Sequence, residues 1–186
     1  MKTTFIFLFS VIIAGLVIVG CDSENSTDNP ISTQNQFEKE SYQDGERILG
    51  KFSRELHKEL ARVKSATARY HNIANAEVDG YVDIDLFAPN QGWHYLKGSL
   101  VDVTFDLEKP ELLVYAPKPN GGLRLVAVEY AVPVELSTEA PDGFTGEEDV
   151  WEINEEFGLW VLHTWVWYHN PDGMVNPTNP RVPSEL

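Results

Sequence analysis

Between residues 46 and 79 the apolar positions Ile48, Phe52, Leu56, Leu60, Val63, Tyr70 and Ile73 recur at three- and four-residue spacing. Arg47, Lys51, Arg54, Lys58 and Arg62 fall mostly on other faces, which predicts an amphipathic helix. Ser65 is placed to cap a second helix and Gly80 to stop it, so the segment reads as one helix or a pair. After Gly80 the periodicity shortens to two. Alternation over Tyr81–Phe87 predicts a half-exposed strand, and further strands are expected at Trp93–Leu96, Leu112–Ala116, Leu123–Val134 and Leu159–Tyr168. The short link Pro117-Lys118-Pro119-Asn120-Gly121-Gly122 carries an Asn-Gly turn signal, so the strands on either side of it should be antiparallel neighbours. Helices followed by about five strands predict an α+β domain with a mainly antiparallel sheet.

The last of these strands is the densest in bulky side chains. Residues 159–170 read L-W-V-L-H-T-W-V-W-Y-H-N, apolar on both alternating faces, and a strand of that kind is covered on both sides. By parity His163 shares a face with Val161, Trp165 and Trp167, so its imidazole is expected to be buried and to require a hydrogen-bond partner or a ligand.

The chain begins differently. Lys2 precedes an almost unbroken apolar run from Phe5 to Val19, too short for a comfortable membrane span, and the run closes on Ile18-Val19-Gly20-Cys21. This layout resembles the signal and lipobox of bacterial lipoproteins, in which cleavage precedes the cysteine and that cysteine is lipidated. The resemblance implies a signal peptide over residues 1–20, a lipid on Cys21, and residence in the cell envelope, membrane-anchored in the inner or outer membrane or at the cell surface. Cys21 is the only cysteine, which excludes an internal disulfide. Residues 21–44 are polar with almost no apolar content and predict a flexible tether. The folded part is then one domain, residues 45–186.

Charge narrows the partners. A net charge of -15 argues against nucleic acid and against adsorption on anionic headgroups, so attachment to the membrane has to come from the lipid. Residues 135–158 hold nine carboxylates and no lysine or arginine; the segment reads as a solvated acidic loop.

No P-loop, G-x-G-x-x-G, G-x-S-x-G or H-E-x-x-H motif is present, and no thiol remains for a nucleophile. What remains is a set of polar residues inside apolar strands: His94 in G-W-H-Y, Glu129 in V-A-V-E-Y and His163 in V-L-H-T-W. Two imidazoles and one carboxylate match the donor set of zinc or iron sites, and a divalent metal is the one cofactor the sequence suggests. A hydrogen-bonded network among the three is the alternative. The aromatics offer a second kind of site, in which Trp93, Tyr95, Trp165 and Trp167 form a stacking platform for a glycan or small molecule.

Several short segments resemble a family of uncharacterised secreted or lipid-anchored bacterial proteins: Ala66-Thr67-Ala68-Arg69-Tyr70-His71, Asp79-Gly80-Tyr81, Gly92-Trp93-His94-Tyr95, Pro110-Glu111-Leu112-Leu113-Val114-Tyr115, Leu125-Val126-Ala127-Val128-Glu129-Tyr130, Leu162-His163-Thr164-Trp165, Asn170-Pro171-Asp172-Gly173-Met174 and Asn179-Pro180. The resemblance spans residues 66–182 and implies no activity. Three functional expectations stand: a binding or structural module of the envelope, a metal-binding protein or small metal-dependent hydrolase using His94, Glu129 and His163, and an aromatic-lined binder.

Overall fold

The computed structural model describes residues 53–185. The expected signal peptide, Cys21, the tether and the first turns of the predicted helix lie outside the described residues. None of the described helices is long and apolar enough to cross a membrane.

Helix α1 spans Arg54–Thr67. Ser53 caps it, its hydroxyl accepting from the Leu56 N–H at 3.1 Å, and Leu56, Val63 and Thr67 form the buried stripe. The break expected near Lys64 comes later. Ala68–His71 tightens into a 3-10 turn, and helix α2, Ile73–Val78, is capped by Asn72 rather than Ser65, the Asn72 side chain accepting from the Ala74 N–H. Gly80, with φ +94°, ends the pair as expected.

Six strands follow: β1 Val82–Ala88, β2 Gly92–Leu96, β3 Leu112–Pro117, β4 Leu123–Pro133, β5 Glu152–Asn154 and β6 Leu159–Thr164. They form one sheet in the order β1-β2-β3-β4-β6-β5, every pairing antiparallel. The strand that pattern reading missed is β5. It has three residues and alternates nothing apolar except Ile153, and it sits at the sheet edge inside the acidic segment, where charged side chains are tolerated. That segment is therefore not wholly a solvated loop. Phe144 inserts from it into the core against Phe105 and Tyr130, and Glu59 on α1 holds it by accepting from the Thr145 N–H and hydroxyl.

Two irregularities decide which side chains share a face. The β3–β4 register shifts between Val114 and Tyr115, so Leu125 pairs with Tyr115 while Ala127 pairs with Val114. The extra residue is Val126, and beyond this bulge Leu125 belongs to the helix-facing core with Tyr130 and Leu162, opposite Ala127 and Glu129. Simple alternation, which groups Glu129 with Leu123 and Leu125, fails there. Likewise β6 ends at Thr164, four residues short of the expected Tyr168, and the chain turns: Trp165 packs with Val114, Ala116 and Ala127, whereas Trp167 crosses to the helix side and donates its indole N–H to the Thr67 hydroxyl at 3.0 Å.

The larger core lies between the helices and one face of the sheet, built on Leu56, Val63, Ala76, Tyr81, Tyr95, Leu113, Tyr115, Val128, Tyr130 and Leu162. Three of its tyrosines keep their hydroxyls satisfied on backbone carbonyls, Tyr115 on Tyr70, Tyr81 on Pro110 and Tyr130 on Leu107. The opposite face holds a smaller cluster of Val114, Ala116, Val126, Ala127, Trp165 and Val182. At the start of β2, Gly92 has φ +117° and a Cβ there would strike the Tyr115 carbonyl, so the β1–β2 turn requires glycine.

A buried histidine-glutamate-histidine centre

Strand register brings the three polar candidates to one face. Glu129 on β4 pairs directly with His163 on β6. His94 on β2 pairs with Val114, which pairs with Ala127, two residues before Glu129 on the same side of β4. In a flat sheet β2 and β6 would stand three strand spacings apart, about 14 Å. The two imidazoles nevertheless lie edge to face with centroids 5.7 Å apart. The sheet is curled, with this face on the inside of the curl, and the small side chains Val114 and Ala127 leave room for the ring–ring approach.

All three residues are nearly inaccessible: His94 is 2%, His163 3% and Glu129 5% exposed. The carboxylate sits between the rings, with His163 Nδ1 3.3 Å from Glu129 Oε1 and His94 Nε2 3.5 Å from Glu129 Oε2. On its other edge, His94 Nδ1 lies 3.4 Å from the Leu86 carbonyl of β1. A carbonyl can only accept, so this contact places the proton on Nδ1 and turns the Nε2 lone pair toward Glu129. His163 is held differently. Its ring stacks on Trp165 at 5.9 Å between centroids and 21° between planes, and its Nε2 is buried without a hydrogen-bond partner.

Burial sets the charge of the cluster. It pushes the Glu129 carboxyl well above the usual carboxylate range, with a smaller push from Glu111, and it pushes both imidazoles down, His163 further lowered by its histidine neighbour. Without a cation the arrangement that satisfies these tendencies is neutral. A protonated carboxyl facing His94 Nε2 and an Nδ1–H of His163 facing Glu129 Oε1 keep every group uncharged, and His163 Nε2 is left without a partner.

The same donors suit a metal. The three ligand atoms lie within 4.8 Å of one another. At metal–ligand bonds of about 2.0 to 2.2 Å, neighbouring donors around a tetrahedral ion stand roughly 3.3 to 3.6 Å apart; the two histidine–carboxylate separations, each to its own carboxylate oxygen, fall in that range, and a set spread over up to 4.8 Å would draw together around an ion. The Leu86 carbonyl supplies the outer hydrogen bond that a metal-bound imidazole normally makes. A cation would also remove the reason for Glu129 to stay protonated, since its charge replaces the proton.

The aromatic candidates are not brought together. Trp93, Tyr95 and Trp167 pack in or against the helix-facing core, where Tyr95 meets Tyr115 edge to face, while Trp165 lies across the sheet in the inner cluster. Of the four, Trp165 alone touches the histidine-glutamate-histidine centre. Pattern reading passed over Glu111, a second buried carboxylate, 2% exposed, which accepts from the Ala131 N–H at 3.0 Å. Its position at the head of an apolar strand was the available signal.

Comparison of the chain with protein-family models, with curated proteins and with solved structures gives no match.

Proposed function

We propose that this chain is a lipid-anchored cell-envelope protein whose α+β domain, residues 45–186, is a metal-binding module, with His94, Glu129 and His163 as ligands of a borderline divalent cation such as zinc or ferrous iron. The supporting observation is the convergence of these three side chains from β2, β4 and β6 inside the curl, with one potential ligand atom from each within 4.8 Å of the others. The low exposure of all three favours binding over hydrolysis, because a metal-activated water would need room for a substrate beside it. Attachment through Cys21 rests on the lipobox alone.

The metal assignment is tested by elemental analysis of protein purified without chelator and then equilibrated with zinc. The expected result is about one equivalent in the wild type and a loss of most of it in His163→Ala and Glu129→Gln. Wild type and His163→Ala with the same sub-stoichiometric content would rule it out. For the anchor, wild type is expected in the detergent phase of a partition experiment and Cys21→Ser in the aqueous phase; a wild type that stays aqueous after expression in a lipoprotein-processing host would end that reading.

A further inference from the structure

Among the described residues, no helix packs on the inner face of the sheet. What covers it is the chain after β6. Residues 170–183 leave the end of β6 and finish at the β1–β2 turn, so they run from one side of the curl to the other. At the near end Asn170 donates to the Thr178 carbonyl and Asn179 to the His169 carbonyl, folding the segment on itself. At the far end Asn90 of the turn makes three ties: its N–H donates to the Pro183 carbonyl at 3.0 Å, its side-chain amide to the Val182 carbonyl at 3.0 Å, and its carbonyl accepts from the Asn179 N–H at 2.8 Å. In the middle the only deeply buried apolar anchor on the inner cluster is Val182, 2% exposed, against Val114, Ala127 and Trp165.

Trp165 links this segment to the centre. Its indole N–H donates to the Asn176 carbonyl at 2.6 Å and its backbone N–H to the Met174 carbonyl at 2.8 Å, while its ring lies flat on His163. Lifting residues 176–182 therefore removes the indole tie of Trp165 and its Val182 contact and loosens the ring that covers His163, while the tie to the Met174 carbonyl stays, held by Met174 and Val175 in the helix-facing core.

We infer that residues 176–183 are a strap that gates exchange at the histidine-glutamate-histidine centre: the cation enters and leaves when this segment lifts from Asn90 and Trp165, while Met174 and Val175, whose side chains pack with the helix-facing core, stay in place. This rests on the metal-binding reading. It makes the centre an exchangeable one, suited to carrying or sensing a cation, because a short segment held through Val182, Asn90 and the Trp165 indole opens more readily than a sheet packed on helices.

The experiment compares two valine truncations of equal size on opposite faces in the full chain. Val182→Ala loosens the strap; Val63→Ala loosens the helix-facing core, where Val63 is fully buried. Zinc-loaded proteins are mixed with excess chromogenic chelator and the release rate is followed. Val182→Ala is expected to release zinc about tenfold faster than wild type at unchanged stoichiometry, and Val63→Ala within about twofold of wild type. Equal acceleration in both variants, or none in Val182→Ala, overturns the strap. A second readout is free of metal: in chelator, histidine carbethoxylation is mapped by mass spectrometry, and His163 should react faster in Val182→Ala than in Val63→Ala. Faster modification in a protein that binds no zinc would keep the strap and refute the metal reading. Stoichiometric zinc with unchanged release and unchanged modification would do the reverse.

Discussion

Glu111→Gln isolates the effect of one buried carboxyl on stability. Burial, with smaller contributions from Asp102 and Asp106, pushes Glu111 from an ordinary 4.5 to about 8, against the lowering influence of the Ala131 N–H. The folded state thus holds a proton that the unfolded chain releases between those two values. With more protons bound when folded, stability falls as pH rises through that window, at up to about 1.4 kcal/mol per pH unit for a single group. From about pH 5.5 to about pH 7.5 the wild type should lose roughly 2 to 3 kcal/mol to this group alone, an upper bound for a fully protonated native carboxyl. Below pH 4.5 the penalty is absent, and above 8 it is complete. Glutamine keeps an oxygen for the Ala131 N–H and cannot ionise, so Glu111→Gln should flatten the slope by about one proton. The added amide N–H needs a partner and so sets the offset in absolute stability; the slope is the quantity to read. Urea unfolding at a series of pH values, in chelator so that metal does not contribute, measures it. A variant whose slope equals that of the wild type would show that Glu111 is already ionised in the fold, and the reasoning from burial would be wrong.

Other outcomes follow from single contacts. Gly92→Ala should cost about 2 to 4 kcal/mol, because the backbone sits at φ +117° and the new methyl meets the Tyr115 carbonyl, and a thermal melt reads the loss. Phe144→Ala should cost about 3 kcal/mol and, by releasing the anchor of the acidic segment among Phe105 and Tyr130, speed proteolytic cleavage within residues 135–151; unchanged cleavage would show the segment is held by Glu59 alone. Tyr130→Phe removes the hydroxyl that donates to the Leu107 carbonyl and should cost about 1 kcal/mol in denaturant unfolding. Val78→Ala, at a helix position 83% exposed, should change stability by less than about 0.5 kcal/mol.

Five of the six strands were legible in the alternation of residues, and the Pro117–Gly122 link correctly announced the β3–β4 hairpin. The polar intruders His94, Glu129 and His163 were legible too, because a charged or imidazole side chain in an apolar strand has to be answered by something. What alternation cannot carry is a break in its own period. The bulge at Val126 moved Glu129 away from Leu125, and the early end of β6 at Thr164 sent Trp165 and Trp167 to opposite faces of the sheet. Strand β5 was hidden for a different reason: it lies at an edge, where pairing is made by the backbone and side chains are free to be acidic. The curl was invisible as well, since it depends on how strands of small inner residues close on one another and leaves no periodic mark.

That curl has a consequence for how the protein matures. The three centre residues stand more than thirty positions apart along the chain and come from strands separated by β3 and the acidic segment, so no two of them meet through local structure. Contacts of such long sequence separation form late, after the loops between them have been closed. A half-made sheet, with β2 paired but β6 still free, offers one imidazole to the surroundings and holds nothing tightly. On the proposed metal-binding reading, the donor set is therefore completed by the docking of the last strand, and a chain that has not finished folding has no site to load.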